Sequence, residues 1–238
     1  EKVKAIQAYG TCRTLNDKQL PRQARFGLAV EEWIEENDIN ISALQCWESI
    51  EKNYGCAACV TMSMMGEKLM PSACEVDIAG TIGMYALALA AQRPSALLDW
   101  NNNFAEDRNK VVCTHCSNYP KSFFDNEIEI GSLDILGTVL GHEDTFGALK
   151  GKVAPGNMTY FRISTDDPKG IIKSYLGQGV ITDDPYGMDG GIAVCEIPNL
   201  QDLMKFVCKN GFEHHVGMVR GHVAGILEEA IENYLGWE

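Results

Sequence analysis

The chain has 238 residues, 45% hydrophobic and 22% charged, an ordinary balance for a globular protein with one large domain or two modest ones. Its formal charge of −13 argues against nucleic acid or an anionic membrane as the main partner, and leaves neutral small molecules and divalent cations open. The longest charge-free apolar run, residues 78–91, is broken by Gly80, Thr81 and Gly83 and is shorter than the roughly 20 residues of a spanning helix, so no membrane partner is expected.

In chain order, residues 3–9, VKAIQAY, read as a strand or an arriving loop. From Arg22 the period turns helical, with Phe26, Ala29, Val30, Trp33 and Ile34 on one face and Glu31, Glu32, Glu35 and Glu36 on a solvated one. Residues 39–47 resemble a short strand. Residues 54–69, rich in Ala, Cys and Met, predict a buried helix in which Met62, Met64 and Met65 fill the core. Residues 71–74 predict a short strand ending at Glu75, and 78–91 a helix apolar nearly all round, hence buried on most sides. Residues 1–92 thus show an α/β alternation.

After Pro94 the texture changes. Strand-like runs cover residues 96–99 (or 95–98, with Asp99 at the carboxyl end), 110–115, 128–130, 135–140, 152–154, 159–164, 171–176 and 192–197. Turn residues separate them, including Pro155-Gly156-Asn157, Asp166-Asp167-Pro168 and Asp189-Gly190-Gly191. Short strands at this spacing predict a small antiparallel sheet or barrel. Two helices close the chain, residues 199–209 with Asn199 as cap, and about 221–235.

Nine cysteines, an odd number, lie mostly inside apolar runs with no signal peptide before them. They read as reduced, buried thiols of a cytoplasmic protein. Cys113-Thr114-His115-Cys116 has no second half at zinc-finger spacing, so no structural zinc is expected, and the Cys56/Cys59 pair lacks a redox context. The glycine-rich 187–191 reads as a turn. The chain opens at Glu1 without a Met, so a longer parent protein is expected.

The residues able to do chemistry are Glu75, Asp99, His115, His214, His215 and His222. In α/β sheets ligands gather outside the carboxyl ends of strands, where Glu75 and Asp99 fall. Carboxylates with imidazoles suit Mn²⁺, Co²⁺, Fe²⁺ or Zn²⁺, and a mostly carboxylate shell tolerates Mg²⁺. Such an ion polarises a carbonyl while a nearby carboxylate moves a proton. The plainer alternative is that Glu75 caps the following helix and Asp99 ends a strand or caps a turn at residues 101–103.

The runs ACEVDIAGTIGMYALALA, LLDWNNNF and HHVGMVRGHVAG resemble the L-fucose isomerase family, in the group that includes the L-arabinose isomerases. The resemblance covers nearly the whole chain but only the C-terminal part of that family. It implies the end of a Rossmann-like middle α/β domain over residues 1–92, then a β-rich, antiparallel barrel-like C-terminal domain with closing helices over 93–238. In that family a Glu, an Asp and a His bind one divalent ion, usually Mn²⁺, with Mg²⁺ or Co²⁺ as alternatives. The matching residues here are Glu75, Asp99 and His215, the two acids also forming the acid/base pair. His115 is the nearest match to a further histidine of arabinose isomerases, with Cys116 as the alternative. The implied reaction is aldose–ketose isomerisation by proton transfer between C1 and C2 through a cis-enediol, in a cytoplasmic homo-oligomer. Trp100, Asn101 and Asn103, by adjacency, and His115, His214 and His222 are the expected sugar-binding residues. The readings kept beside it are a non-catalytic assembly or substrate-cover piece that needs further domains, and a metal-dependent epimerase.

Overall fold

A computed structural model describes the chain except residues 117, 126, 186, 189 and 238 and the side chain of residue 102. Asp189, in the expected turn, therefore lies outside the described residues. The first part of the chain contains α1 (Lys2–Tyr9), β1 (Thr11–Cys12), α2 (Gln19–Glu36), β2 (Ser42–Ala43), α3 (Glu51–Tyr54), α4 (Cys59–Gly66), β3 (Ser72–Ala73) and α5 (Ile78–Ala91). Next come β4 (Ser95–Asn103), β5 (Lys110–His115), β6 (Glu129–Gly131), α6 (Asp134–Leu140) and β7 (Ala148–Lys152). The remainder is β8 (Gly156–Asp166), β9 (Ile171–Ile181), β10 (Gly191–Glu196), α7 (Leu200–Lys209), β11 (His215–Arg220) and α8 (Ala224–Ala230).

The fold is mixed α/β around a large, mostly antiparallel sheet. Its order is β1-β6-β7-β10-β5-β4-β11-β8-β9, and β9 also pairs with β10, so six antiparallel strands close into a barrel. Alternate residues of each strand fill it: Ala96, Leu98 and Trp100 of β4, Val111 and Cys113 of β5, and Val216 and Met218 of β11 share one buried cluster. The opposite face of β8 and β11 carries α5, where Leu87 packs on Phe161, Ile163 and Val219. Gly217 permits this approach: a Cβ there would meet Leu87 Cδ1 at 3.0 Å and the Phe161 carbonyl oxygen at 3.1 Å. A second core joins α1, α2 and α4 to the β6–β7 edge through Ile6, Ala24, Val60, Ile130 and Leu149.

Several expectations are corrected. Residues 3–9 are helical, with Ile6 buried against the β6 edge. Residues 135–140 form α6, not a strand: Leu136 is buried while Ile135 and Val139 face outward, a helical spacing that a short apolar run conceals. The α5 helix is not buried nearly all round, since Ile78 and Leu89 are 64% and 52% exposed. No helix among the described residues is long and apolar enough to cross a membrane.

Candidate metal centre

Asp99 lies within β4, not at its end. It faces His215 of β11 on one side and Thr114 of β5 on the other. Directly opposed residues of antiparallel strands project to the same face, here the outer face of the barrel, beside the N-terminus of α5. His215 Nε2 is 3.4 Å from Asp99 Oδ1 and 3.9 Å from Glu75 Oε2. His214 Nε2 also lies 3.4 Å from Asp99 Oδ1. The His115 ring centroid is 5.2 Å from that of His215. Two overlapping donor sets result, Glu75–His115–His215 and Asp99–His214–His215, each with its donor atoms within 4.8 Å of one another.

Glu75 reaches this point through an unusual backbone. Glu75 and Val76 have φ of 58° and 57°, consecutive left-handed residues of which the second is β-branched. Such conformations cost on the order of 1–3 kcal/mol each and persist where the surroundings impose them, often at functional sites. The helix cap is Asp77 rather than Glu75: its carboxylate accepts from the Gly80 N–H at 2.8 Å. Asp77 also binds His215 Nδ1 at 2.9 Å and Arg162 Nη1 at 2.5 Å, and Arg162 binds Glu213 at 3.1 Å. Burial pushes the Asp77 carboxyl up, but the His215 and Arg162 hydrogen bonds overcome it and hold the group well below the usual carboxylate range. An ionised Asp77 only accepts, so Nδ1–H of His215 donates, and it is Nε2 that carries the lone pair of the neutral ring.

That lone pair has no hydrogen-bond partner. His215 Nε2 and Asp99 Oδ1 are both buried and unsatisfied among the described residues, and buried polar atoms without partners are uncommon. An ion between them would satisfy both, so the donor set fits the divalent metal expected from the sequence. A cleft of about 560 Å³ opens beside them, lined by Glu75, Asp99, Asn101, His115, Cys116 and Trp47 among others, within the usual size of a small-molecule site. Burial pushes the His115 imidazole down, but the Cys116 sulfur and the two acids raise it to about 9, and Cys116 is in turn held well below the usual thiol value by the neighbouring thiols, Cys46 foremost.

Residues 113–238 match the family described as "L-fucose isomerase, C-terminal domain". The chain belongs to the L-fucose isomerase family. It is also 30% identical over 220 residues to a sulfoquinovose isomerase of Alkalicoccus urumqiensis, an alignment covering 91% of this chain and 48% of that protein. It is 25% identical over 214 residues to a sulfoquinovose isomerase of Priestia aryabhattai and 24% identical over 204 residues to one of Clostridium sp. (strain MSTE9). These alignments cover 90% and 84% of this chain, and 47% and 43% of the two relatives. The chain thus spans about half the length of the curated relatives it matches.

Of the residues that the family resemblance singled out, Glu75, Asp99, His115, His214 and His215 converge, and Asn101 lines the same cleft. Three do not. Trp100 alternates to the opposite face of β4, is 8% exposed inside the barrel and donates from Nε1 to the Tyr175 hydroxyl at 2.8 Å. Asn103 follows a register shift in β4, and its Oδ1 accepts from Gln201. His222 lies past the far end of β11, with Nε2 3.4 Å from the Gly179 carbonyl. Asp77, Arg162 and Trp47 were missed. An Asp immediately before an apolar helical run is a cap signal available in the sequence; Arg162 and Trp47 have none.

Proposed function

We propose that this chain carries the metal-binding and acid–base residues of an aldose–ketose sugar isomerase. The observation that supports this best is the pair of buried, unpartnered atoms Asp99 Oδ1 and His215 Nε2, 3.4 Å apart at the wall of a ligand-sized cleft. Glu75, Asp99 and His215 would hold a divalent ion, Mn²⁺ best and Mg²⁺ or Co²⁺ as well, which when bound supplies Lewis-acid polarisation of a sugar carbonyl.

One of Glu75 and Asp99 takes the proton from C2 and returns it to C1 of the cis-enediol, while the other gives a proton to O1 as the enediol forms and takes one from the O2 hydroxyl as it collapses to the ketose; the same pair serves both directions. Asp77 holds His215 in its tautomer. Leu133 and Leu136 on the cleft wall limit water at the reacting carbons. Trp47, 44% exposed and on the same wall, offers the aromatic face that Trp100 does not. The sulfonated sugar named for the relatives is a candidate substrate. No Lys or Arg is among the described residues that line this cleft, so a sulfonate would take its cation from elsewhere in the complete protein.

On this reading, residues 1–92 are the end of a Rossmann-like middle domain and 93–238 the C-terminal domain of a cytoplasmic homo-oligomer, in keeping with its free thiols. A second reading is an assembly and cover piece that is inactive alone. The exposed Ile78 and Leu89 of α5 and Ile135 and Val139 of α6 favour it. An epimerase would use the same residues and would be recognised by its product.

The test uses the longest natural protein containing this chain, loaded with Mn²⁺ and offered sulfoquinovose, L-fucose and L-arabinose. Ketose formation that falls on the order of 10³-fold in Glu75→Gln and in Asp99→Asn is expected. No conversion of any aldose, or full activity in both variants, would refute the isomerase reading. Calorimetric Mn²⁺ binding to this chain alone, lost in the Glu75→Gln/Asp99→Asn double variant, separates a preformed centre from one completed by other segments.

A further inference from the structure

Four cysteines from separate segments meet behind the cleft: Cys46 before α3, Cys59 at the start of α4, Cys74 after β3 and Cys116 after β5. Cys74 Sγ lies 4.0 Å from Cys116 Sγ, and Cys116 Sγ lies 3.3 Å from His115 Nδ1. The donor atoms of Cys74, His115 and Cys116 all fall within 4.8 Å of one another. Two sulfurs on one tetrahedral zinc at about 2.3 Å are separated by about 3.8 Å, so the spacing already suits an ion of that size.

We propose that Cys74, His115 and Cys116 form a second metal site, for a thiophilic divalent ion such as Zn²⁺ or Cd²⁺, set into the wall of the cleft. Two sulfurs and an imidazole select soft ions, whereas the carboxylates of Glu75 and Asp99 favour harder ones. Two protein sulfurs and one nitrogen leave a fourth position open, the pattern of zinc sites that exchange a ligand. Cys116 is half-buried and lines the cleft, which provides the entry path. Cys74 is fully buried and His115 is 5% exposed, so both are held by packing. The Cys59 thiol donates to the Cys116 carbonyl at 3.2 Å and fixes the turn that carries that sulfur, as outer-shell groups do at metal centres. The CTHC segment, which lacks a partner half at zinc-finger spacing, finds its missing sulfur in Cys74.

The proposal stands whether or not the cleft isomerises a sugar, because its readout is spectroscopic. Cd²⁺ is titrated into the reduced, metal-free chain while sulfur-to-cadmium charge-transfer absorption is followed in the ultraviolet. Saturation at one equivalent is expected, at least tenfold weaker in Cys116→Ser and in Cys74→Ser. It should be unchanged in Cys208→Ser, at an exposed cysteine, and in the Glu75→Gln/Asp99→Asn variant. Circular dichroism reports whether each variant folds; if Cys74→Ser does not, Cys116→Ser decides. On the unmutated chain, Cd²⁺ should protect Cys116 but not Cys208 from alkylation by iodoacetamide, read by peptide mass spectrometry. Absence of the absorption band, its survival in Cys116→Ser, or equal labelling of Cys116 with and without Cd²⁺ would overturn the proposal.

Discussion

The imidazole of His215 is gripped from behind by Asp77, Nδ1 to Oδ2 at 2.9 Å, while its other nitrogen points at Asp99. Asp77 touches none of the three ligand atoms from the cleft side, yet it sets both the tautomer and the direction of one of them. Asp77→Ala should therefore weaken Mn²⁺ binding by about 10–100-fold with Glu75, Asp99 and His215 all intact. Calorimetry measures this, and an unchanged affinity would remove Asp77 from the centre.

The same residue sets an acid dependence. A carboxyl held below its ordinary value contributes stability that is fully present above the unfolded value of about 3.9 and is lost as pH falls through the lower folded value. At neutral pH Asp77→Asn should cost about 3 kcal/mol, because the buried Arg162 loses a partner. That gap should narrow as pH drops below about 4. Urea midpoints for both proteins across the acid range would reveal a constant gap if Asp77 were not ionised in the fold.

Glu51 behaves in the opposite sense. It is buried, its Oε2 has no hydrogen-bond partner among the described residues, and burial pushes its carboxyl up to about 7. Stability contributed by a raised group is present below the unfolded value, about 4.3, and is lost as pH rises through the folded one. Glu51→Gln should match the parent near pH 4 and be more stable by on the order of 2 kcal/mol at pH 8. Equal melting temperatures at pH 8 would contradict this.

The two tryptophans near the site should separate cleanly. Trp100→Phe removes the bond to Tyr175 and should destabilise by about 1–3 kcal/mol while leaving sugar KM unchanged. Trp47→Ala, at a half-exposed cleft position, should raise KM with a stability change under about 1 kcal/mol. A KM effect from Trp100→Phe alone would reverse the assignment.

What could be read from residue order is what depends on local pattern. The α5 helix, with bounds 78–91, and β5, with bounds 110–115 and buried on both faces, each follow directly from an apolar run bounded by polar residues. Glu75 and Asp99 stood out as carboxylates at expected strand ends, and the resemblance to a known family picked His215 from among the histidines. The strand that carries His215 was not anticipated, because HVGMVR contains a glycine and a charged end and shows its alternation only against β4 and β8. Trp100 was misplaced for a related reason: a strand assumed to stop at Asp99 continues to Asn103, so the next side chain turns into the barrel. Asp77–Arg162 and the meeting of Cys74 with Cys116 join residues 85 and 42 positions apart, which no local pattern encodes.

Asp99 and His215 sit directly across from each other on β4 and β11. Were β11 to slide by a single residue, Val216 would take the place of the imidazole and His215 would swing into the oily interior of the barrel. The β9–β10 pairing closes the ring and resists that shear. On the proposed reading, metal affinity would therefore be a gauge of strand alignment. Conversely, an ion lodged between the two strands would act as a dowel, and the amides of β4 and β11 should be the first to slow their hydrogen exchange when it is added.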